Sequence, residues 1–321
     1  MDFAQKLIDW QRRHGRHDLP WQGTRDPYRI WLSEVMLQQT QVAAVVPYYE
    51  RFLKRFPDVA SLAHADENEV LELWSGLGYY ARARNLRKAA IEIAERGFPR
   101  SALAISELPG VGRSTAAAIA AFAFGERAAI LDGNVKRVLA RSFGVEGEKA
   151  LWGLAERLLP ERNVQTYTQA LMDLGATVCT RMNPACTGCP LADVCVARST
   201  NRQHALPAPR ARKVLPVKTA TWWVLVKEAR VLMARRPSAG LWGGLLVFPE
   251  RRATGWKIAS RETLPLIEHG FTHFRLRVTP VLCQALKAIP RPGEQWFDLE
   301  RAARGATPTP VKKLLQQLRE R

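Results

Sequence analysis

The sequence of 321 residues contains no apolar run of about 18 residues, so it predicts no membrane-spanning helix. Its five cysteines are too few to form the disulfide framework of a secreted chain of this length. Acidic residues are also scarce, with 30 Asp and Glu against 48 Lys and Arg and a formal net charge of +18. These absences predict a cytosolic or nuclear chain that has no membrane partner and binds a polyanion.

The chain is long enough for two domains, and its texture changes near residue 200. Residues 1–200 carry a net charge of +3 and show helical periodicity throughout, which predicts an all-α domain. Residues 218–321 carry most of the remaining positive charge and contain short strand-like runs at 222–226 and 231–234, which predicts a smaller α+β domain. Between them, residues 201–217 contain three prolines among Arg and Lys, and we expect an extended interdomain linker.

A glycine-rich turn at residues 108–115 precedes an apolar run from Ser114 to Phe124, which Gly125 is placed to end. Gly110 and Gly112 would form a tight turn at the N-terminus of this helix, where unpaired N–H groups and the helix dipole favour an anion. We therefore interpret the turn as a binding site for a nucleic-acid phosphate. Asp132 follows the helix, seven residues after Gly125, and would lie close to the bound nucleic acid. The alternative is an ordinary glycine turn between two core helices.

Four cysteines lie within 17 residues with the spacing C-x6-C-x2-C-x5-C. Four thiols gathered this closely are typical of a metal site, either a tetrahedral zinc ion or a [4Fe–4S] cluster. Structural zinc sites usually contain two close cysteine pairs, whereas only one pair is close here, so the spacing favours the iron–sulfur cluster. The predicted ligands are Cys179, Cys186, Cys189 and Cys195.

Two carboxylates are candidates for acid–base chemistry. Glu34 shares a helical segment with Trp31, Val35 and Met36, where burial would raise its pKa and keep it partly protonated. Asp132, in a turn before Gly133, is expected to stay ionised. Such a pair suits cleavage of a glycosidic bond, in which one group protonates the leaving group and the other stabilises an oxocarbenium-like sugar. A base in duplex DNA would first have to flip out of the stack. A solvent-facing or capping acid is the alternative for Glu34.

Together these features resemble the helix-hairpin-helix DNA glycosylase superfamily, and within it the MutY family of adenine DNA glycosylases. The resemblance spans nearly the whole chain. It is carried by Trp-Leu-Ser-Glu-Val-Met-Leu-Gln-Gln-Thr at 31–40, Gly-Leu-Gly-Tyr-Tyr at 76–80, Leu-Pro-Gly-Val-Gly-Arg-Ser-Thr at 108–115, Leu-Asp-Gly-Asn at 131–134 and the four cysteines. It implies a helix-hairpin-helix glycosylase domain at 1–200 with an iron–sulfur cluster loop at 179–195, and a [4Fe–4S] cluster as cofactor.

The resemblance also implies roles for individual residues. Glu34 matches the acid that protonates the adenine ring, and Asp132 the carboxylate that stabilises the sugar cation. Bifunctional relatives carry a nucleophilic lysine where this chain has Ser114, which cannot form a Schiff base, so we expect a monofunctional glycosylase. The remaining positions match residues that fill the opened base stack or contact the flipped base. They are Leu37, Gln39, Tyr79, Asn134 and Gln169.

The C-terminal residues 218–321 resemble the Nudix-like domain of the same family. Residues 250–262 lack the acidic helix that would hold a metal in a Nudix hydrolase, so we expect no pyrophosphatase activity. The family recognises 8-oxoguanine with a Phe-Ser-His loop, and this chain has Phe271, Thr272 and His273. Thr272 retains the hydroxyl, so we expect Thr272 and His273 to recognise the oxidised base.

The resemblance implies a monomeric base-excision-repair hydrolase that removes adenine mispaired with 8-oxoguanine or guanine. Its partner would be double-stranded DNA, and in a bacterium it would be cytoplasmic and associated with the nucleoid. Two alternatives stay open. One is another mismatch or pyrimidine glycosylase of the superfamily, and the other is a non-catalytic iron–sulfur protein that senses DNA damage or redox state.

Overall fold

A computed structural model describes residues 2–208 and 214–320. The chain divides into two compact units. The first unit contains Met1–Ala63 and Lys88–Ala211, and the second contains His64–Arg87 and Arg212–Arg321. The segment 64–87 thus groups with the C-terminal part of the chain, a division that differs from a single boundary near residue 200. No helix in the described ranges is long and apolar enough to cross a membrane.

The N-terminal half of the chain is helical, in agreement with the predicted fold class. Its helices are α1 (Phe3–His14), α2 (Pro27–Leu37), α3 (Val42–Arg55), α4 (Val59–His64), α5 (Glu67–Trp74), α6 (Ala81–Arg96), α7 (Ala102–Ile105), α8 (Arg113–Phe124), α9 (Gly133–Phe143), α10 (Glu148–Arg157), α11 (Val164–Thr177) and α12 (Val196–Ser199). Local signals set several of these ends. Asp26 caps α2 by accepting a hydrogen bond from the N–H of Tyr28 at 2.9 Å, and Gly125 ends α8 in the left-handed conformation.

The core of the first unit forms around α8, α9 and α11, which pack against one another and against α1 and α2. Small side chains make this close packing possible, because α8 buries a run of alanines from Ala116 to Ala123 together with Ile119. Helix α9 is amphipathic and turns Val135, Val138 and Leu139 into the same core. The N-termini of α8 and α9 are thereby fixed in the same part of the unit.

The second unit contains a mixed seven-stranded sheet. Its elements are β1 (Val217–Lys227), β2 (Arg230–Arg235), β3 (Leu246–Val247), β4 (Lys257–Thr263), β5 (Ile267–Gly270), β6 (Arg275–Lys287) and β7 (Glu294–Asp298), followed by α13 (Leu299–Arg304) and α14 (Thr309–Arg319). The strand order is β3-β2-β1-β6-β4, with β1 and β6 parallel, β5 paired to β6 and β7 paired to β2. This unit of strands and helices agrees with the predicted smaller domain, and β1 and β2 contain the two predicted strand-like runs.

The predicted linker is only partly an extended connection. Residues 209–213 lie outside the described residues, but 201–208 form turns that pack on the helical unit. Leu206 is buried, and its carbonyl accepts a hydrogen bond from Nε of the buried Arg141 at 2.9 Å. The prediction of an extended segment was wrong for this stretch, because one apolar side chain and one buried guanidinium hold it in place.

Candidate active site and cysteine loop

Glu34 lines a cavity of about 510 Å³ in the helical unit. Its helix, α2, buries Trp31 and Val35 on either side of it, so the accessible part of Glu34 belongs to the cavity wall. Burial, and to a smaller extent the charge of Asp132, raise the pKa of Glu34 to about 8. The two predicted catalytic carboxyl groups are therefore close enough to interact, although nearly a hundred residues separate them in sequence.

Asp132 is the N-cap of α9. Its carboxylate accepts a hydrogen bond from the N–H of Val135 at 2.8 Å, which holds the side chain at the positive end of the helix. Burial raises the pKa of Asp132, which the sequence did not predict, while the N–H groups of Val135 and Asn134 and the positive charges of Arg137 and Lys136 oppose that rise. Asp132 thus has compensating donors and cations around its carboxylate.

Ser114 lies in the first turn of α8 and contacts the turn that carries Asp132. Its hydroxyl accepts a hydrogen bond from the backbone N–H of Leu131 at 2.9 Å. One side chain therefore links the helix after the glycine turn to the turn that carries Asp132. This contact gives Ser114 a local structural task in addition to the role that the sequence predicts.

The glycine turn joins α7 to α8 and is exposed at both glycines. Gly110 has a φ of +78°, which favours glycine, whereas Gly112 has an ordinary φ of −91° and a Cβ built there would touch nothing. The chain itself therefore does not require glycine at position 112, and the exposed N-terminus of α8 is left open to an external group. Gln38 supports the turn by donating to the carbonyl of Gly110 at 3.2 Å.

Asn134 lies where α9 and α11 meet most closely. A Cβ on Gly175 would come within 2.5 Å of Cβ of Asn134, so only glycine allows this approach. The amide oxygen of Asn134 accepts a hydrogen bond from Arg137 at 2.8 Å, and Nε of Arg137 donates to the carbonyl of Cys179 at 2.7 Å. One guanidinium therefore connects the turn of Asp132 with the start of the cysteine loop.

The four predicted metal ligands line one small cavity. Cys179 follows the C-cap of α11, Cys186 and Cys189 lie at the two ends of one 3-10 turn, and Cys195 is the N-cap of α12. All four are half-buried free thiols. Burial raises the pKa of Cys179, and Arg141 opposes this by donating to Cys179 Sγ at 3.5 Å. Over the described part of the chain, however, no three His, Cys, Asp or Glu side chains are arranged to hold a metal ion. Four thiols that line a common cavity fit the ligand chemistry of an iron–sulfur cluster.

The residues predicted to fill the opened base stack have different surroundings. Leu37 lines the same cavity as Glu34, at the end of α2. Gln39 and Tyr79 are exposed and have positive φ angles of 58° and 49°, respectively. Tyr79 belongs to the second unit, where the guanidinium of Arg82 lies over its ring at 5.3 Å from the centroid. This contact restrains an aromatic ring that remains 45% exposed.

Thr272 and His273 are exposed at the tip of the loop between β5 and β6. The loop is closed by the N–H of Phe271, which donates to the carbonyl of Phe274 at 2.9 Å, and the rings of these two residues stack at 4.5 Å. The Thr272 hydroxyl lies 3.4 Å from Nδ1 of His273. A rigid aromatic base thus presents two polar side chains to the surroundings.

Sequence reasoning missed two residues of the cavity region, Arg16 and Asp173. Arg16 lines the cavity beside Glu34 and Gln169, and it forms a salt bridge with the fully buried Asp173 at 2.7 Å. Gln169 also contacts Asp173, at 2.9 Å. The only available signal was the i, i+4 spacing of Gln169 and Asp173 on an otherwise apolar helical face.

Comparison with known proteins agrees with both units. Residues 32–161 match the family model of the HhH-GPD superfamily base excision DNA repair protein, and residues 221–317 match that of the NUDIX domain. The adenine DNA glycosylase of Buchnera aphidicola subsp. Baizongia pistaciae is 34% identical, covering 99% of this chain and 97% of the relative. The adenine DNA glycosylase of Homo sapiens is 32% identical, covering 98% and 73%, respectively. A solved thermostable thymine-DNA glycosylase is 32% identical with a TM-score of 0.58, covering 62% of this chain and 95% of that one.

Proposed function

Because the chain belongs to the adenine DNA glycosylase family, we propose that it hydrolyses the N-glycosidic bond of adenine mispaired with 8-oxoguanine or guanine in duplex DNA. The observation that carries this proposal is the electrostatic coupling of Asp132 to Glu34, a carboxyl group that lines a cavity. Burial and Asp132 raise the pKa of Glu34 to about 8, so Glu34 is predominantly protonated at neutral pH. An acid poised in this way can donate a proton to a base that has entered the cavity.

The two carboxyl groups, Glu34 and Asp132, have different roles in the proposed reaction. Glu34 donates its proton to a ring nitrogen of adenine, the bond between that base and the sugar C1′ breaks, and the electron pair leaves with the base. Asp132, held by the N–H of Val135, stabilises the positive charge on the sugar. Water then adds to C1′ and loses a proton to the solvent, which leaves an abasic site. Both groups come from one chain, so a monomer suffices for the reaction.

Ser114 supports hydrolysis without strand cleavage. A bifunctional mechanism needs an amine that attacks C1′ and forms a Schiff base, and the hydroxyl of Ser114 cannot do so. That hydroxyl also accepts the hydrogen bond from Leu131, which further occupies it. We expect that borohydride reduction during turnover traps no covalent complex with DNA. A trapped complex would contradict the monofunctional mechanism.

Several exposed features suit the binding of a distorted duplex. The N-terminus of α8 is open at Gly112 and can accept a DNA phosphate on its backbone N–H groups, with Gly110 shaping the turn. Leu37, Gln39 and Tyr79 would fill the stack from which the adenine is flipped, and the exposed ring of Tyr79 provides a stacking face. Such an enzyme acts where genomic DNA is held, which in a bacterium is the nucleoid in the cytoplasm.

Thr272 and His273 would contact 8-oxoguanine on the opposite strand. Both are exposed polar groups at the tip of a loop that aromatic packing keeps rigid. The Thr272 hydroxyl can donate or accept a hydrogen bond, and 8-oxoguanine differs from guanine by an added carbonyl oxygen and a ring N–H. This chemistry supports a preference for the oxidised base. Asn134, next to Asp132, would act with Gln169 at the adenine strand.

The cysteine loop would hold a [4Fe–4S] cluster through Cys179, Cys186, Cys189 and Cys195. Four thiols around a common cavity supply the ligand set that such a cluster requires. When bound, the cluster would cross-link the loop to α11 and α12. Arg141 and Arg137 would orient the Cys179 end of the loop through Sγ and the backbone carbonyl.

A second candidate function is excision of thymine from a mismatch, because the similar solved structure is a thymine-DNA glycosylase. That similarity covers 62% of the chain, whereas the adenine glycosylase relatives cover nearly all of it, including the residues of the C-terminal unit. The base released from a mismatched duplex distinguishes the two functions.

The proposed roles of the two carboxyl groups can be tested by substitution. We expect Glu34→Gln and Asp132→Asn each to lower single-turnover adenine release by about 100-fold or more, because each removes a charge or proton needed in the transition state. Duplex affinity should stay within about threefold of the unsubstituted chain, since neither residue grips phosphate. Glu95→Gln, at an exposed position on α6, is the matched control. Wild-type rates for either active-site variant would remove that residue from its role.

A further inference from the structure

Asp173 is a buried carboxylate that holds two cavity residues at once. It lies on α11, one turn after Gln169, and its side chain has no exposed surface. Its Oδ1 accepts hydrogen bonds from Nε of Arg16 at 2.8 Å and from Nε2 of Gln169 at 2.9 Å. Its Oδ2 accepts the backbone N–H of Arg16 at 3.0 Å. Arg16 and Gln169 line the cavity in front of it, together with Glu34.

This contact determines which end of the Gln169 amide is available to the cavity. A carboxylate that accepts from a guanidinium has no proton to donate, so only the NH₂ end of the amide can face Asp173. The amide oxygen of Gln169 is then the end directed away from Asp173. Gln169 lines the cavity and Asp173 does not. A base that enters the cavity would therefore meet the oxygen of this amide, a hydrogen-bond acceptor.

The bases that could enter the cavity differ at the corresponding edge. Adenine carries an amino group, a donor, at C6, whereas guanine and hypoxanthine carry a carbonyl oxygen, an acceptor, at the same carbon. An acceptor fixed in the cavity wall accepts a hydrogen bond from the amino group of adenine. With guanine or hypoxanthine, the same acceptor faces a carbonyl oxygen, which is a second acceptor. A buried acceptor without a donor is costly, so the mismatch discriminates strongly between the two classes.

We propose that Asp173 is a positioning residue that makes the cavity select a 6-amino purine, by fixing the amide of Gln169 and the guanidinium of Arg16. Asp173 does not touch the base, and its effect on selection passes through Gln169. The inference rests on the proposed function, since it assumes that the base enters the cavity of Glu34. It extends that function to a residue that the sequence did not single out.

The test compares three leaving bases opposite 8-oxoguanine, namely adenine, hypoxanthine and purine, which lacks the 6-amino group. Single-turnover rates are measured for the unsubstituted chain, Asp173→Asn and Gln169→Leu, each with the iron–sulfur cluster bound at the cysteine loop. Every variant rate is divided by the unsubstituted rate on the same base, so that differences in leaving-group reactivity cancel. Glu161→Gln, which removes an exposed salt bridge to Arg127, is the control. Thermal melting reports whether each variant is folded.

We expect Asp173→Asn and Gln169→Leu to lower adenine release by about 10- to 100-fold, the cost of one lost selective hydrogen bond. Purine release should fall by less than about threefold, because purine offers no amino group to Gln169. In Asp173→Asn the new amide can donate a hydrogen bond to the oxygen of Gln169. The Gln169 amide can then rotate and offer its NH₂ group to the base, so the ratio of hypoxanthine to adenine release should rise.

Equal losses on adenine and purine in Asp173→Asn would assign Asp173 to structure alone and overturn the inference. If Asp173→Asn is unfolded at the assay temperature, Gln169→Leu provides the test. Equal losses of adenine and purine release in Gln169→Leu would show that Gln169 makes no contact selective for the 6-amino group, and would overturn the inference. A failure of the unsubstituted chain to release adenine would instead overturn the proposed function, so the two failures are distinguishable.

Discussion

The hydroxyl of Ser114 accepts a hydrogen bond from the backbone N–H of Leu131 at 2.9 Å. This single contact ties the first turn of α8 to the residue before Asp132. The contact therefore couples the position of the glycine turn to that of Asp132. Ser114 was singled out in the sequence because it stands where bifunctional relatives carry a lysine. In the structure it also supports the turn of Asp132.

Removing this hydrogen bond should loosen the turn of Asp132. We expect Ser114→Ala to lower single-turnover excision by about tenfold, since the N–H of Leu131 loses its acceptor and that loss is of order 1 kcal/mol. Duplex affinity should change little, because the backbone N–H groups at the start of α8 remain. Ser101→Ala removes the hydroxyl that caps α7 and serves as a control for a lost side-chain-to-backbone bond. Unchanged excision in Ser114→Ala would show that the contact does not position Asp132.

The activity should depend on pH through Glu34. Its pKa is raised to about 8, so the proton-donating form predominates at pH 7 and is lost as the pH rises through 8. We therefore expect the single-turnover rate to be level near neutrality and to fall by about tenfold per pH unit above pH 8. A rate that stays level up to pH 9.5 would contradict the role of Glu34 as the acid.

The same raised pKa has a consequence for stability. The folded state binds the Glu34 proton more tightly than the unfolded state, so the contribution of this group to the free energy of unfolding falls as the pH rises from about 4.5 towards 8. Glu34→Gln carries no such charge. Its melting temperature should therefore exceed that of the unsubstituted chain at pH 9, and by less at pH 5.

The buried guanidinium of Arg141 should be needed for the cysteine loop to retain its iron–sulfur cluster. It donates to the carbonyls of Leu206 and Thr180 and to Sγ of Cys179. We expect a brown protein with about four iron atoms per chain, and less than half of that in Arg141→Leu, because several buried acceptors lose their donor. Arg202→Ala, an exposed arginine that does not line the cysteine cavity, is the control. One zinc ion per chain and no colour would contradict the iron–sulfur assignment.

The loop tip of the second unit should control the choice of opposite base. We expect Thr272→Ala and His273→Ala to narrow the preference for 8-oxoguanine over guanine by about tenfold while adenine release opposite guanine stays within about threefold. Ser260→Ala, exposed on β4, is the control. An unchanged preference in both variants would remove this loop from recognition.

Point substitutions test that loop better than removal of residues 218–321. Ser75 Oγ and the hydroxyl of Tyr80 both donate to the carbonyl of Thr307, at 3.0 and 3.2 Å. These contacts lie within the second unit, which includes residues 64–87. A truncation would therefore also remove the acceptor that supports the turn bearing Tyr79, and its effects could not be assigned to Thr272 and His273 alone.

Much of the helical unit follows from local signals in the sequence. Gly125 ends α8 as the sequence predicts, and Asp26 with the following Pro27 marks the start of α2 by capping. The strand β4 was missed because nearly every residue in it is exposed, so no apolar alternation marks it. Its pairing with β6 depends on partners 18 to 30 residues away along the chain.

The candidate site was predictable only in part for a similar reason. Glu34, Asp132 and the four cysteines carry motifs, but Arg16 and Asp173 lie 157 residues apart and meet only in the fold. Likewise, the packing of Leu206 depends on Arg141, a residue of α9. Contacts of this kind leave no spacing in the sequence from which they could be inferred.

The most direct measurement of the central claim is base release from matched duplexes that carry adenine opposite 8-oxoguanine, guanine, cytosine or thymine, together with a duplex carrying thymine opposite guanine. Alkali treatment after single-turnover incubation reveals the abasic sites. We predict adenine release that is fastest opposite 8-oxoguanine, slower opposite guanine and absent opposite thymine, and no release of thymine. No adenine release opposite 8-oxoguanine, or release of thymine in its place, would contradict the proposed function.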